Sequence, residues 1–493
     1  MLVHKYMMKA ASNVVAAVSS FVALMVMTRY VSYEYGVMMW GFALVALFNI
    51  VAGLGFDTAH IKFLAGGGNQ NNCFSTYTVI RILLTLLMII LASATLWISV
   101  GNGSMGSEAA GVIAVFIIYY AAWDIRSIFT VTFDARLESG KSSIVIMLES
   151  IVRSVLLIVL ALQQVSADVL SMAYLTGMIL AVVSAAWLSR NINLKFVRPT
   201  MFKEYAYFAA PLILSTIVLM AMEALDRVII GFNGDLLEVG YYAAALGAVT
   251  AVISLGNSMN NVILPQLSSP DMTCSREKTE GLVWISQKYL MMFLLPVTAV
   301  LIVHGEAIAT VLFGSDYARA GVILSVLSVM MTLKIISGVL SQVLYASNKV
   351  GLYTRASVFY GILVIALYFL LIPSSSPFPL TGGIGAALAV TVGSMVYIAI
   401  LMYYVKQSTG VGIYPQLWKH ILSTAATLSV MFATYCCFDI SGLLSVAVVS
   451  LSGLIVHMSV LAITGEFRKS DIEFFRNALS PKQIYQSLED ELH

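Results

Sequence analysis

Runs of about twenty apolar residues recur along the whole chain, separated by short polar connections, and about twenty helical residues cross a bilayer. The pattern predicts fourteen spans, at roughly 10–28, 36–56, 79–100, 109–132, 143–163, 168–188, 207–231, 239–262, 282–304, 320–346, 352–372, 382–405, 418–438 and 441–464. Connections this short make sequence neighbours pack side by side. The fold class is therefore all-α, a polytopic membrane protein. Lys5 and Lys9 precede the first apolar run, as in a signal peptide. That run also holds Ser12, Asn13, Ser19 and Ser20 and leads straight into a hairpin, so it reads as an uncleaved span.

The stretch Ala221 to Tyr242 divides the chain near its middle. Its turn resembles the hairpin Arg29 to Val37, with Tyr35-Gly36 matching Val239-Gly240. A second pair of turns, Ala135 to Gly140 (ARLESG) and Ala346 to Gly351 (ASNKVG), is offset by 211 residues. Two copies of a six-helix unit follow from these matches. The expected organisation is an N-lobe at 1–190, a joining loop at 191–206, a C-lobe at 207–405, two further spans at 406–465 and a tail at 466–493. Substrate sites of repeat-built transporters lie between the halves. In the tail, Ser470-Asp471-Ile472-Glu473 and Ser480-Pro481-Lys482-Gln483 have the spacing of helix starts.

Composition agrees: 60% of residues are hydrophobic and 11% charged, against about 25% charged in soluble domains. Of 27 Lys and Arg, 21 fall on the side that carries both termini and two, Arg29 and Arg319, on the other. Positive charge stays inside, so both termini are expected in the cytoplasm. A net charge of +2 without a basic block points to no nucleic-acid partner. Cys73, Cys274, Cys436 and Cys437 have no metal-ligand spacing and read as free thiols, with no cofactor expected. Six scattered histidines, no HExxH and no GxSxG exclude the familiar hydrolase constellations.

Eight charges fall within spans: Asp124, Arg126, Glu149, Arg153, Glu223, Asp226, Arg227 and Lys334. Each costs about 2.5–3.5 kcal/mol at a helix centre, so eight facing lipid would cost on the order of 20 kcal/mol. They are expected to face an interior or a watery cavity, or to lie near span ends. Glu149–Arg153 and Glu223–Arg227 have the favourable i, i+4 order and suit neutral pairs that pin helices. Arg126 and Lys334 have no acid at i±3 or i±4 and sit at related depths of spans 4 and 10. Unpaired cations in both halves suit an anionic ligand, with Arg153 and Arg227 as further candidates. Asp226, Glu223, Glu149 and Asp124 are the candidates for ion coupling.

Several segments together resemble a family: RYVSYEYGVMMW, GLGFDTAHIKFLA, LDRVIIGFNGDLLEVGYYAAA, NVILPQLS, VLFGSDYARAGVIL, LYASNKVG and GGIGAALAVTVG, in this order. They are similar to polysaccharide-unit (O-antigen-type) flippases of the multidrug/oligosaccharidyl-lipid/polysaccharide exporter superfamily. The resemblance implies fourteen helices in two lobes around a cationic cavity. It implies movement of an undecaprenyl-diphosphate-linked oligosaccharide across the bacterial inner membrane by alternating access, for O-antigen or exopolysaccharide. Membrane lipids, a polysaccharide polymerase and a chain-length regulator are the implied partners. A drug or cation antiporter of the same superfamily would want an acidic cavity. A membrane polymerase or ligase would carry a large catalytic outer loop, which this chain lacks.

Overall fold

The computed structural model describes residues 2–103, 105–190, 192, 195–233, 235–267, 276–373, 380–438, 442–468 and 471, without the side chains of 2–11, 255 and 257–266. Fifteen α-helices run through the described residues: α1 (Leu2–Tyr30), α2 (Ser32–Gly53), α3 (Phe56–Ala65), α4 (Gln70–Gly101), α5 (Ser107–Ala135), α6 (Ser139–Leu162), α7 (Ala167–Ser189), α8 (Phe202–Phe232), α9 (Leu236–Leu267), α10 (Arg276–Phe313), α11 (Ala320–Ala346), α12 (Val350–Leu371), α13 (Gly382–Thr409), α14 (Leu417–Cys437) and α15 (Leu443–Ile463). All but α3 are long and apolar enough to cross a membrane. An even number of crossings puts the start of α1 and the end of α15 on one face, the terminal face, opposite a far face.

Helices α1 and α4–α7 pack largely on one another, and so do α8–α13, with α14 and α15 against α10. Helix α2 lies in the seam, touching α4 and α5 on one side and α8 and α9 on the other. The matched turns have the same backbone. After α5, Glu138 N–H donates to the Phe133 carbonyl at 2.8 Å; after α11, Lys349 N–H donates to the Leu344 carbonyl at 2.8 Å. In each, one residue adopts a positive φ, Leu137 at 59° and Asn348 at 56°, again 211 apart. The left-handed residue lets the next N–H turn back and satisfy a carbonyl that the helix end leaves free.

Two features differ from the sequence reading. The second span breaks at Leu54 and Gly55 (φ 27° and 79°), and α3 continues it. Helix α4 starts at Gln70, not near 79, because the Asn69 side chain caps it by accepting from Asn72 N–H at 3.3 Å. Arg81, counted above with the terminal-face loops, is thereby carried roughly three turns into the helix and is 3% exposed.

The two helix starts expected around Ser470 and Ser480 lie outside the described residues, and so does Cys274. Cys73, Cys436 and Cys437 are free thiols. Asp471 itself is described and is clamped to α10. Lys288 Nζ donates to both its oxygens at 2.8 Å, Tyr289 OH to one at 3.1 Å, and Arg468 N–H to the other at 2.7 Å. Burial alone would push the Asp471 carboxyl up, but the bonds from Lys288 and the Arg468 backbone outweigh it and hold it below the usual range. A lowered pKa means that docking is complete above the ordinary carboxylate value and is lost as pH falls through the lower, docked one. Amide exchange at 466–468 and 471 should therefore stay slow from neutral to mildly acidic pH and speed up only in strong acid. In Asp471→Asn it should be fast at neutral pH, and wild-type-like exchange there would refute the clamp.

Candidate functional site

A cavity of about 310 Å³ lies in the seam. Helices α1, α2, α6, α7, α8 and α9 line it, with Ser20, Tyr35, Tyr174 and Thr250 among the polar walls. Two arginines reach it from the two sides, Arg153 from α6 and Arg227 from α8.

Each arginine is held by an acid on its own helix. Arg153 Nη1 donates to Glu149 Oε1 at 2.6 Å, as the i, i+4 spacing predicted, and Nη2 donates to Ser20 Oγ at 3.2 Å. Its guanidinium lies 5.0 Å from the Tyr174 ring centre, within cation–π range. Arg227 departs from expectation. Its Nε donates to Asp226 Oδ1 at 3.3 Å, and its Nη2 donates to the Glu223 backbone carbonyl, not the carboxylate. The Glu223–Arg227 pair is thus corrected to Asp226–Arg227, and Glu223 is exposed. Asp226 is 3% exposed and also accepts from Tyr242 OH at 2.9 Å. That second bond, from α9, aims the carboxylate and could not be read from spacing along α8.

Arg126 and Lys334, matched by the repeat, are not among the residues lining this cavity. Arg126 is 7% exposed, lies 4.1 Å from the Trp123 ring centre and has no hydrogen-bond partner for its Nε among the described residues. Glu149 and Arg153 are within its electrostatic reach. Lys334 is half-buried, 5.9 Å from the Tyr360 ring centre, with no ion pair among the described residues. Asp124 faces away from Arg126, as its two-residue spacing requires. It accepts from Thr85 Oγ1 at 2.9 Å and lies 3.5 Å from Arg81. Arg81 is the buried charge that the sequence reading missed; the cap signal at Asn69 would have revealed it.

The far face of the seam is shut. Arg29 Nη2 donates to the Val311 carbonyl, and Tyr317 OH donates to the Ser32 carbonyl at 2.9 Å. Gly36 and Gly240, matched in the two hairpins, meet here: a methyl on Gly240 would lie 3.4 Å from the Gly36 Cα and 2.7 Å from Tyr317 OH. Trp40 of α2 sits edge-on to Phe232 of α8 at 5.6 Å and against Gly231. Elsewhere, an apolar groove of about 730 Å³ runs between α10, α11, α13 and α14, lined by Met291, Leu340, Met402 and Ile421, with Lys406 among its few charged neighbours.

The family described as "Polysaccharide biosynthesis protein" matches residues 2–270, more than half of the chain. The chain belongs to this family. A probable low-salt glycan biosynthesis flippase, Agl15 of Haloferax volcanii, is 21% identical over 435 residues, 87% of this chain and 88% of the relative. The capsular polysaccharide biosynthesis protein CapF of Staphylococcus aureus is 26% identical over 235 residues, 45% of this chain and 55% of the relative. Among solved structures, the lipid II flippase MurJ in an inward closed conformation aligns with TM-score 0.76 at 14% identity, over 93% of this chain and 98% of that one. An inward-facing MATE multidrug transporter aligns with TM-score 0.60 at 15% identity, over 82% and 96%. At these identities the structural likeness establishes the fold alone.

Proposed function

We propose that this protein is a flippase, not an enzyme, that carries a lipid-linked glycan across the membrane by its diphosphate. One observation carries the reading: Arg153 and Arg227 enter a single seam cavity from two different sets of helices. Guanidinium forks match phosphate oxygens two at a time, and a sequestered site strengthens each such bond. Glu149 and Asp226 hold the two forks in place while they wait for substrate. The relatives named as flippases or capsule proteins support the same reading.

The chain works as two lobes, divided at 191–206, that rock about the seam. With the far side shut, the cavity loads from the terminal face, which the Lys and Arg bias makes cytoplasmic in a bacterial inner membrane. Undecaprenol is the proposed lipid, its tail remaining in apolar surroundings in the bilayer or the groove. O-antigen or exopolysaccharide is the proposed product pathway. Arg126 reinforces Arg153 electrostatically. Lys334 adds a contact in a wider state of the cavity, which must open beyond 310 Å³ to admit sugars. The test uses purified protein in vesicles holding a fluorescent diphosphate-linked glycolipid. Protein should make inner-leaflet glycan accessible to an external quencher much faster than protein-free vesicles do; equal rates would overturn the proposal.

A further inference from the structure

We propose that Asp124 is a proton-binding site, and that Arg81 transmits its protonation to the broken second span. Helix α2, itself long enough to cross the membrane, meets the short α3 at Leu54 and Gly55, with α4 and α5 packed on both helices. The end of α2 leaves its last carbonyls without partners in the helix. Arg81 supplies one partner, donating from Nη1 to the Ala52 carbonyl in the last turn of α2. Its Nη2 lies 3.6 Å from Asp57 Oδ1, in the first turn of α3, and 3.5 Å from Asp124 Oδ1. One guanidinium therefore joins both halves of the broken span to α5.

The charges do not balance. Two carboxylates share one guanidinium, leaving one negative charge in a place where Asp124 is 1% and Arg81 3% exposed. Thr85 satisfies Asp124 Oδ2, but among the described residues Oδ1 accepts no hydrogen bond and Arg81 Nε has no partner. A proton on Oδ1 brings the sum to zero. A metal ion is disfavoured, because Arg81 stands beside both carboxylates and would repel it. No group of three or more metal-ligating side chains occurs among the described residues. Asp57, the other carboxylate beside Arg81, has a side chain 40% exposed.

Of the other titratable groups nearby, Tyr77 belongs to the same set, its ring centre 6.0 Å from the Arg81 guanidinium. From α4, Tyr77 OH donates to Asp57 at 2.8 Å. From α3, His60 is occupied by Tyr205 of α8 and Thr132 of α5, each at 3.0 Å. Tyr120, one turn from Asp124 on α5, lies within its electrostatic reach. Arg126 stands within electrostatic reach of Arg81 as well as of Glu149 and Arg153 of α6, and Tyr174 of α7 faces Arg153. In the binding step a hydronium ion gives its proton to Asp124 Oδ1: one O–H bond of the hydronium breaks, one forms on the carboxyl, and water leaves. The Arg81–Asp124 attraction is then lost, while Arg81 keeps Asp57 and the Ala52 carbonyl. The charged tie from Arg81 to α5 at the break between α2 and α3 is released, while packing and the His60–Thr132 bond remain, and α2 lines the substrate seam. Coupling to transport rests on the flippase reading; the proton site does not.

The test is infrared difference spectroscopy of the purified protein in vesicles without glycan, as pH is lowered. Wild type should develop the C=O stretch of a buried protonated carboxyl. Asp124→Asn should lack it, and Thr85→Val should shift its frequency because a hydrogen bond to the same carboxyl is gone. Asp57→Asn removes the excess negative charge, so the band should appear only at lower pH. No band in wild type, or an unchanged band in Asp124→Asn, would overturn the proposal. Should Asp124→Asn fail to accumulate, a band indifferent to both Thr85→Val and Asp57→Asn would do so. Because no glycan is present, a negative result leaves the flippase reading standing. Failed transport with the band intact counts against that reading alone.

Discussion

Neutralising both seam ion pairs, Glu149→Gln with Arg153→Gln and Asp226→Asn with Arg227→Gln, should leave the protein in the membrane and abolish surface glycan. The balance of charge is the reason for changing four residues. Arg227→Gln alone leaves Asp226, 3% exposed, with the Tyr242 OH and the backbone N–H of residue 227 as donors but without its counter-charge. Orphaning a buried charge costs about 3–5 kcal/mol, so that single variant should fall in abundance and confound any assay. The paired variant removes the same guanidiniums without an orphan. Each charge-assisted hydrogen bond to a ligand is worth about 1.5–3 kcal/mol. Two lost sites then weaken diphosphate binding by roughly 10²–10⁴-fold. Arg153→Lys and Arg227→Lys keep the charge and lose the fork, so they should be intermediate. Glycan display is measured against membrane abundance in a strain lacking the gene. Normal display from the fourfold variant would remove both arginines from the mechanism and direct attention to Arg126 and Lys334.

Gly36→Ala should hold the seam open on the far face and stop transport, although alanine favours helix more than glycine does. A methyl on Gly36 collides with the Leu236 carbonyl oxygen and comes within 3.3 Å of the Gly240 nitrogen, both backbone atoms that cannot rotate away. Overpacking of this kind costs about 1–3 kcal/mol. It falls on the closed state alone, because the two hairpins belong to different helix sets. That difference shifts the closed-to-open ratio by about 5–150-fold. A cysteine replacing Thr250 in the cavity, in a background without other cysteines, reports the change. A membrane-impermeant thiol reagent added on the far side should label it in Gly36→Ala and not in the parent. Gly240→Ala should behave alike, since its methyl would lie 2.7 Å from the Tyr317 OH and displace it from the Ser32 carbonyl across the seam. Unchanged labelling together with full glycan display in Gly36→Ala would show that the glycine contact is not the gate.

What the sequence determined by itself is local. Hydropathy over about twenty residues sets the fourteen crossings, because lipid demands a helix whatever its neighbours are. The two turns 211 residues apart were legible because a left-handed residue and a returning N–H need only a few adjacent positions. Glu149–Arg153 was legible because i and i+4 meet on any helix. The tertiary structure decided the rest. Glu223 and Asp226 were both available to Arg227, and Tyr242 from another helix drew the carboxylate of Asp226 into place. Arg126 looked free along its own helix, but the helices packed around it leave it 7% exposed against Trp123. Arg81 looked like a loop charge until a cap at Asn69 and acids from α3 and α5 drew it inside. Gly36 and Gly240 were recognisable as counterparts, yet only packing could show that they touch. The physical reason is common to all four. A membrane helix is apolar toward lipid and toward its neighbours alike, so its sequence fixes its length and leaves its rotation, and hence its contacts, to the helices around it.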